Sequence, residues 1–406
     1  MRKFTLILFF LIFHLFIYAQ KTDVTIWHSY RGSEQTALEE LKNKFNELDN
    51  SFNVVLLSVP YDAFANKLTN AIPRGNGPDA FIFAHERIGD WAESSIIRPL
   101  ETQTVENLRT DTIPSTLEAL KYKGKYWGYP LSFKSVVLFY RTDLVKKVPA
   151  STSEMIELAK KLTDPAKGNY GLAFEATSVY FSAPFIYGFD GGFCFEEGKT
   201  KKTGDACLNN EGNIAALDFI GNLVNGLKIV PQEATSALVT QLFNDGKAAM
   251  VINGPWFLGE IRKDVPFDVA VLPTVSQTGN VLKPFLTVES YLIAEHPTVN
   301  VSGARAFGNF ITSFDGAKVR AVTGRQSVST KSVYSDPDIA SNNILNTFRV
   351  QAEIAVPMSN DPKMRMVWEP FAGALRKVLR GAENPKTALD AAQAQYVIFS
   401  RPLPKA

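Results

Sequence analysis

Apolar residues in this chain switch between two periods. Residues 23–27 read as a strand, and a loop with His28, Tyr30 and Arg31 follows its carboxyl end. Ser33 is placed to cap a helix whose apolar positions Ala37, Leu38, Leu41, Phe45 and Leu48 keep to one face. Strand 53–59, helix 61–72 and strand 78–83 continue the alternation. Strand and helix in turn predict a parallel sheet with helices on its faces. The alternation falters at 127–133 and 136–140, two extended stretches nearly back to back.

Beyond them, Ser151 and Glu154 form a capping box for the helix 155–162. A strand is predicted at 169–174, a helix at 178–189, a Gly- and Lys-rich hairpin at 191–209, and helices at 213–227 and 235–243. Residues 248–252, Ala-Ala-Met-Val-Ile, are an apolar run of the length of a strand covered on both faces. Asn253-Gly254-Pro255 ends it, and Trp256 opens the next helix. Extended runs at 267–272 and 284–294 precede helices at 302–313, 317–322, 340–353 and 364–380, the last kinked at Pro370 and stopped by Gly381. Pro385 suits the first turn of a final helix ending near Ser400. The whole reads as two α/β halves, with the stretches 129–140 and 284–294 crossing between them.

The first residues change the picture of location. Arg2 and Lys3 precede fifteen uncharged residues, 4–18, and Ala19 is a small residue before a cut at Gln20. A basic start and an apolar stretch below the roughly 20 residues of a membrane span describe a signal peptide at 1–19. The 43 basic residues less the two of the leader stand against 41 acidic ones, which excludes nucleic acid as the main partner. An exported chain meets an oxidising compartment, so Cys194 and Cys207 are expected to pair, closing a loop worth about 3 kcal/mol. No metal is expected, because His28, His85 and His296 do not space like ligands.

Catalytic signatures are missing. Gly254 and Gly259 have the spacing of a phosphate loop, but Glu260 and Ile261 replace the Lys and Ser/Thr it needs. There is no nucleophile elbow and no zinc-protease helix, so no enzymatic role and no cofactor is expected. Aromatic and polar residues gather instead at strand ends, where α/β sheets bind ligands. They are Tyr30, Arg31 and Glu34 after the first strand, Phe83, Glu86 and Arg87 after the third, and Trp256 after the apolar run. Trp368 and Phe371 share a face of a late helix. Such a set suits a sugar, whose C–H face stacks on aromatics while its hydroxyls bond to charged groups. Trp27, Trp91 and Trp127 are read as packing.

The run GKAAMVINGPW at 246–256 resembles the maltose-binding-protein branch of the bacterial extracellular solute-binding proteins, and the similarity extends over about 24–396. Residues 83–87, Phe-Ala-His-Glu-Arg, look like that branch's sugar-contacting Trp-Ala-His-Asp-Arg segment. Trp256, Trp368 and Tyr180 match its stacking aromatics. The resemblance implies a type II periplasmic-binding-protein fold: two lobes, each a mostly parallel sheet flanked by helices, joined by a hinge. It places 20–133 with 290–334 in the N-terminal lobe and 134–289 with 335–406 in the C-terminal lobe. It further implies a monomeric, periplasmic or secreted substrate-binding protein that hands a carbohydrate to the membrane permease of an ABC importer. Lys134 and Glu289 complete the implied ligand contacts. Lys134 and Ser178 stand where maltose binders place carboxylates, and Ala372 where they carry an arginine. A different sugar, or one with an acidic group that Lys134 and Arg31 meet, is equally allowed. A ligand sensor, a binder of polyols, sugar phosphates or glycerophosphodiesters, and an enzyme acting on polysaccharide remain open alternatives.

Overall fold

The structure is a computed structural model that describes residues 21–48, 51–193 and 208–400. The expected leader and the expected Cys194–Cys207 pair lie outside the described residues.

Strand and helix alternate through the first third as their periodicity demands. Strands β1 (Thr22–His28), β2 (Phe52–Ser58) and β3 (Ala80–Ala84) pair in parallel, with β1 between the other two. A small hairpin, β4 (Lys121–Tyr122) and β5 (Lys125–Tyr126), leads into β6 (Gly128–Lys134). The chain then enters a second sheet with β7 (Val137–Arg141), β8 (Tyr170–Ala173), β9 (Ala248–Asn253) and β10 (Phe267–Ala270), ordered β10-β7-β9-β8. It returns with β11 (Phe285–Ile293), which lies antiparallel to both β3 and β6, and β12 (Val356–Pro357) pairs with the start of β11. Parallel pairing therefore holds for β1–β2, β1–β3, β8–β9 and β11–β12, and the other pairings in both sheets are antiparallel. The antiparallel neighbours come from strands that arrive out of the other sheet, not through a βαβ crossover.

Period-two alternation divides each strand between two cores. Val24, Ile26, Ala80 and Ile82 face the helices Gly32–Glu47 and Val301–Thr312. Phe81 and Phe83 point the opposite way, onto Phe64 and Trp91. All six residues of β9 are buried, as a continuous apolar run in an interior strand requires.

The two crossings sit side by side. Between β6 and β7 only Ser135 and Val136 intervene, and Ser135 Oγ donates to the carbonyl of Phe285 at 2.9 Å. β11 is unbroken from Phe285, so the boundary expected at 289/290 falls inside a strand. Residues 327–329 line the far edge of β6: Phe133 N–H bonds Ser327 O and Ser329 N–H bonds Leu131 O. Their pattern carries no apolar run, and they escape sequence reading for that reason.

Helix boundaries shifted where proline and glycine act. The last-but-one helix starts at Trp368 after a separate 3₁₀ turn, Pro362–Met366. Pro370 thus lies in the first turn, where its missing N–H costs nothing, and it does not kink the helix. After Asn253 a 3₁₀ turn, Pro255–Gly259, replaces the expected helix start.

Candidate functional site

A cavity of about 460 Å³ opens where the two sheets meet. Its walls are Arg31, Ser33 and Glu34 at the start of helix Gly32–Glu47, Ser132 to Lys134 at the end of β6, Pro255 and Trp256 after β9, and the turn Gly324–Ser327. Both sheets contribute, each through the carboxyl ends of its strands.

The floor is polar. Glu289, on β11, lies opposite Ser132 of β6. Its Oε2 accepts from Tyr30 OH at 3.2 Å and Ser132 Oγ at 3.0 Å, and its Oε1 stands 3.4 Å from Lys134 Nζ. The carboxylate of Glu289 holds the half-buried Lys134 ammonium above its ordinary pKa. Burial, reinforced by Glu289 and Glu34, pushes the Tyr30 hydroxyl well up, so it stays a neutral donor. Glu34 accepts from Gln326 Nε2 at 3.1 Å; burial, then the charge of Glu289, raises its pKa. Beneath them Arg320 is almost wholly buried, bonded to the carbonyls of Leu131 and Ile311, and burial pushes it down to about 10.

One wall is aromatic. Trp256 is 37% exposed, and Tyr180 and Phe181 lie against it with ring centroids at 6.1 and 6.3 Å. Tyr180 and Trp368 both rest on Phe285, at 6.2 and 6.0 Å. The Tyr180 hydroxyl, raised by burial, sits beside Thr287 of β11, opposite Lys134. Trp256 folds back over Gly254; a Cβ there would overlap the indole ring.

Sequence-selected residues divide into those that reach the cavity and those that do not. Arg31, Glu34, Lys134 and Trp256 line it. Tyr30 and Glu289 lie behind the lining, Glu289 being bonded to the lining residues Ser132 and Lys134 and to Tyr30, and Tyr180 packs on Trp256. Glu86 is near enough to act on the pKa of both Tyr61 and Tyr180, and its Oε2 is shielded from solvent with no hydrogen-bond partner among the described residues. Arg87 makes a long ion pair with Asp90 at 3.8 Å. Two residues are corrections. Phe371 is fully buried, edge-on to Phe193 in the core; it stands one turn behind Trp368 without reaching solvent. Phe83 is also buried, because alternation along β3 turns it inward. Tyr61, 52% exposed, covers it with rings parallel to within 5° and centroids 5.3 Å apart. Sequence reading missed Tyr61, Gln326 and Arg325; the signal for Tyr61 was an aromatic at the first residue of a helix that follows a strand end. Trp27, Trp91 and Trp127 are buried packing residues as expected.

Exposed aromatic surface beside fixed donors and acceptors is an arrangement suited to holding a small polar ligand. Comparison with known proteins agrees. A family model described as bacterial extracellular solute-binding protein matches residues 40–347. A maltotriose-binding protein from Pyrococcus abyssi is 28% identical over 372 residues, covering 90% of this chain and 78% of that one. A galactooligosaccharide-binding protein from Bacillus subtilis is 27% identical, covering 90% and 89%. The crystal structure of a cyclo/maltodextrin-binding protein complexed with maltotetraose matches at a TM-score of 0.88 with 25% identity, over 95% of this chain and 99% of that chain. The extracellular solute-binding protein of Staphylococcus aureus in complex with maltose matches at 0.83 with 26% identity, over 93% and 97%. The chain belongs to the family of bacterial extracellular solute-binding proteins, whose members bind solutes and are not enzymes.

Proposed function

We propose that the chain is the substrate-binding component of an ABC importer and takes an oligosaccharide between its two lobes. The observation that carries this reading is one cavity walled by Trp256 from one sheet and by Glu34, Lys134 and the Glu289 network from the other. Covering about 50 Å² of sugar C–H surface on an aromatic is worth roughly 1 kcal/mol. Each hydrogen bond to a charged group adds about 1.5–3 kcal/mol. Two or three of each reach the roughly −8 kcal/mol of a micromolar site. Glu86 Oε2, shielded and unpartnered among the described residues, is an acceptor suited to a ligand hydroxyl. The relatives named for maltotriose and galactooligosaccharide support an oligosaccharide.

The lobes follow the sheets: 21–134 with 285–330 on one side and 137–270 with the last helices on the other, hinged at Ser135 and Phe285. The chain acts outside the cytoplasmic membrane as a monomer, its residues 1–19 serving as leader, and delivers its ligand to a membrane permease. A thermal-shift panel of mono-, di- and oligosaccharides, polyols, sugar phosphates and glycerophosphodiesters tests the reading. A ligand at 100 times its dissociation constant adds about 2.7 kcal/mol. Stabilisation by oligosaccharides is expected; stabilisation by polyols or glycerophosphodiesters alone would overturn it.

A further inference from the structure

Two arginines line the cavity without a charge partner. Arg31 and Arg325 are both exposed, and among the described residues neither side chain makes an ion pair or hydrogen bond. They stand on neighbouring segments, because Ser33 Oγ donates to the carbonyl of Gly324 at 3.3 Å. Each occupies a position that disfavours it. Arg31 is the residue preceding the helix Gly32–Glu47, where the positive end of the helix dipole repels a cation, and no side chain caps that end. Arg325 has φ of 55°, a left-handed conformation that usually falls to Gly or Asn, and a glycine is available next door at 324.

The acidic groups nearby are already committed. Glu289 takes Tyr30, Ser132 and Lys134, and Glu34 takes Gln326. Lys134 is therefore matched by Glu289 and is not the cation an acidic ligand would meet. The free donors sit at the rim, in the same cavity as Trp256.

We infer that Arg31 and Arg325 clamp an anionic group on the saccharide, a carboxylate or a sulfate ester, so that the preferred ligand is an acidic oligosaccharide. This rests on the oligosaccharide reading above and narrows it. Guanidinium forks suit such groups, bonding two oxygens in one plane.

The test is calorimetric titration of the full chain with maltotriose, a galacturonate trisaccharide and a sulfated trisaccharide, on wild type, Arg31→Gln and Arg325→Gln. Arg325→Gly serves as a second variant at the left-handed position, and melting curves check that each variant folds. Wild type is expected to bind one acidic probe at least about tenfold tighter than maltotriose, and each substitution to cut that preference by about tenfold. The better of the two acidic probes identifies the anion. Added salt should erode the preference in wild type more than in either variant. A neutral trisaccharide binding as tightly as both acidic ones, or a preference unmoved by either substitution, overturns the inference and leaves the oligosaccharide reading intact. Binding of no saccharide at all overturns both.

Discussion

Trp256 and Gly254 act as a pair. The indole occupies the space that any Cβ at 254 would fill, so the glycine is required by close approach and not by its backbone angle. Gly254→Ala should displace the ring, which a shift in tryptophan emission would report, and should weaken saccharide binding. Trp256→Ala removes the stacking surface outright and should cost about 1–1.5 kcal/mol, roughly tenfold in affinity by calorimetry. Tyr61→Ala removes the exposed ring that covers Phe83, and the same titration should show a loss of similar size. Lys134→Glu would set a third carboxylate beside Glu289 and Glu34, and the same titration should show weaker binding. Trp256 was legible in the sequence because it follows an apolar run and a turn. Tyr61 was not, because Phe83 looked like the aromatic of that place. Only the inward alternation of β3, with Phe81 and Phe83 on one side, shows which ring faces out.

At the scale of elements, a buried histidine ties three of them. His85 follows β3; its Nε2 lies 2.8 Å from the carbonyl of Met358, after β12, and its Nδ1 accepts the N–H of Val288 on β11 at 3.0 Å. The ring is therefore neutral, with its proton on Nε2, and burial lowers its pKa below the ordinary 6.5. The folded state then binds fewer protons than the unfolded one, so this contribution is complete above 6.5 and is lost as pH falls through 6.5 toward the folded value. Denaturant unfolding should show wild type losing stability between pH 7.5 and 5.5 more steeply than His85→Gln. Removing the imidazole with His85→Ala should cost about 1–3 kcal/mol at pH 7.5, from the two backbone groups left without partners. The major strands and long helices were legible as elements because their periods persist over many residues. The short helices Ile88–Glu93, Thr102–Asp111 and Pro114–Glu118 were not, since few turns leave little periodicity to see. Likewise the 327–329 edge of β6 depends on backbone pairing that no side-chain pattern announces.

For the molecule as a whole, two mixed sheets meet at a narrow crossing, and the candidate site lies where both end. A ligand touching both walls favours whichever lobe arrangement lets all its contacts form, by no more than its differential affinity for that arrangement. Ser135 and Phe285, joined by a hydrogen bond, lie where the chain passes between the sheets, and under the proposed closure they belong to the hinge. The two-half pattern was legible from the strand–helix alternation and its interruption near 127–140. The cavity was not, because it joins residues 31, 134, 256 and 325, which no local pattern links. The most direct measurement is small-angle scattering with and without the oligosaccharide that stabilises the chain best, at concentrations where calorimetry shows saturation. A smaller radius of gyration in the bound state is predicted. An unchanged radius at full occupancy would contradict a cleft that closes between the two sheets.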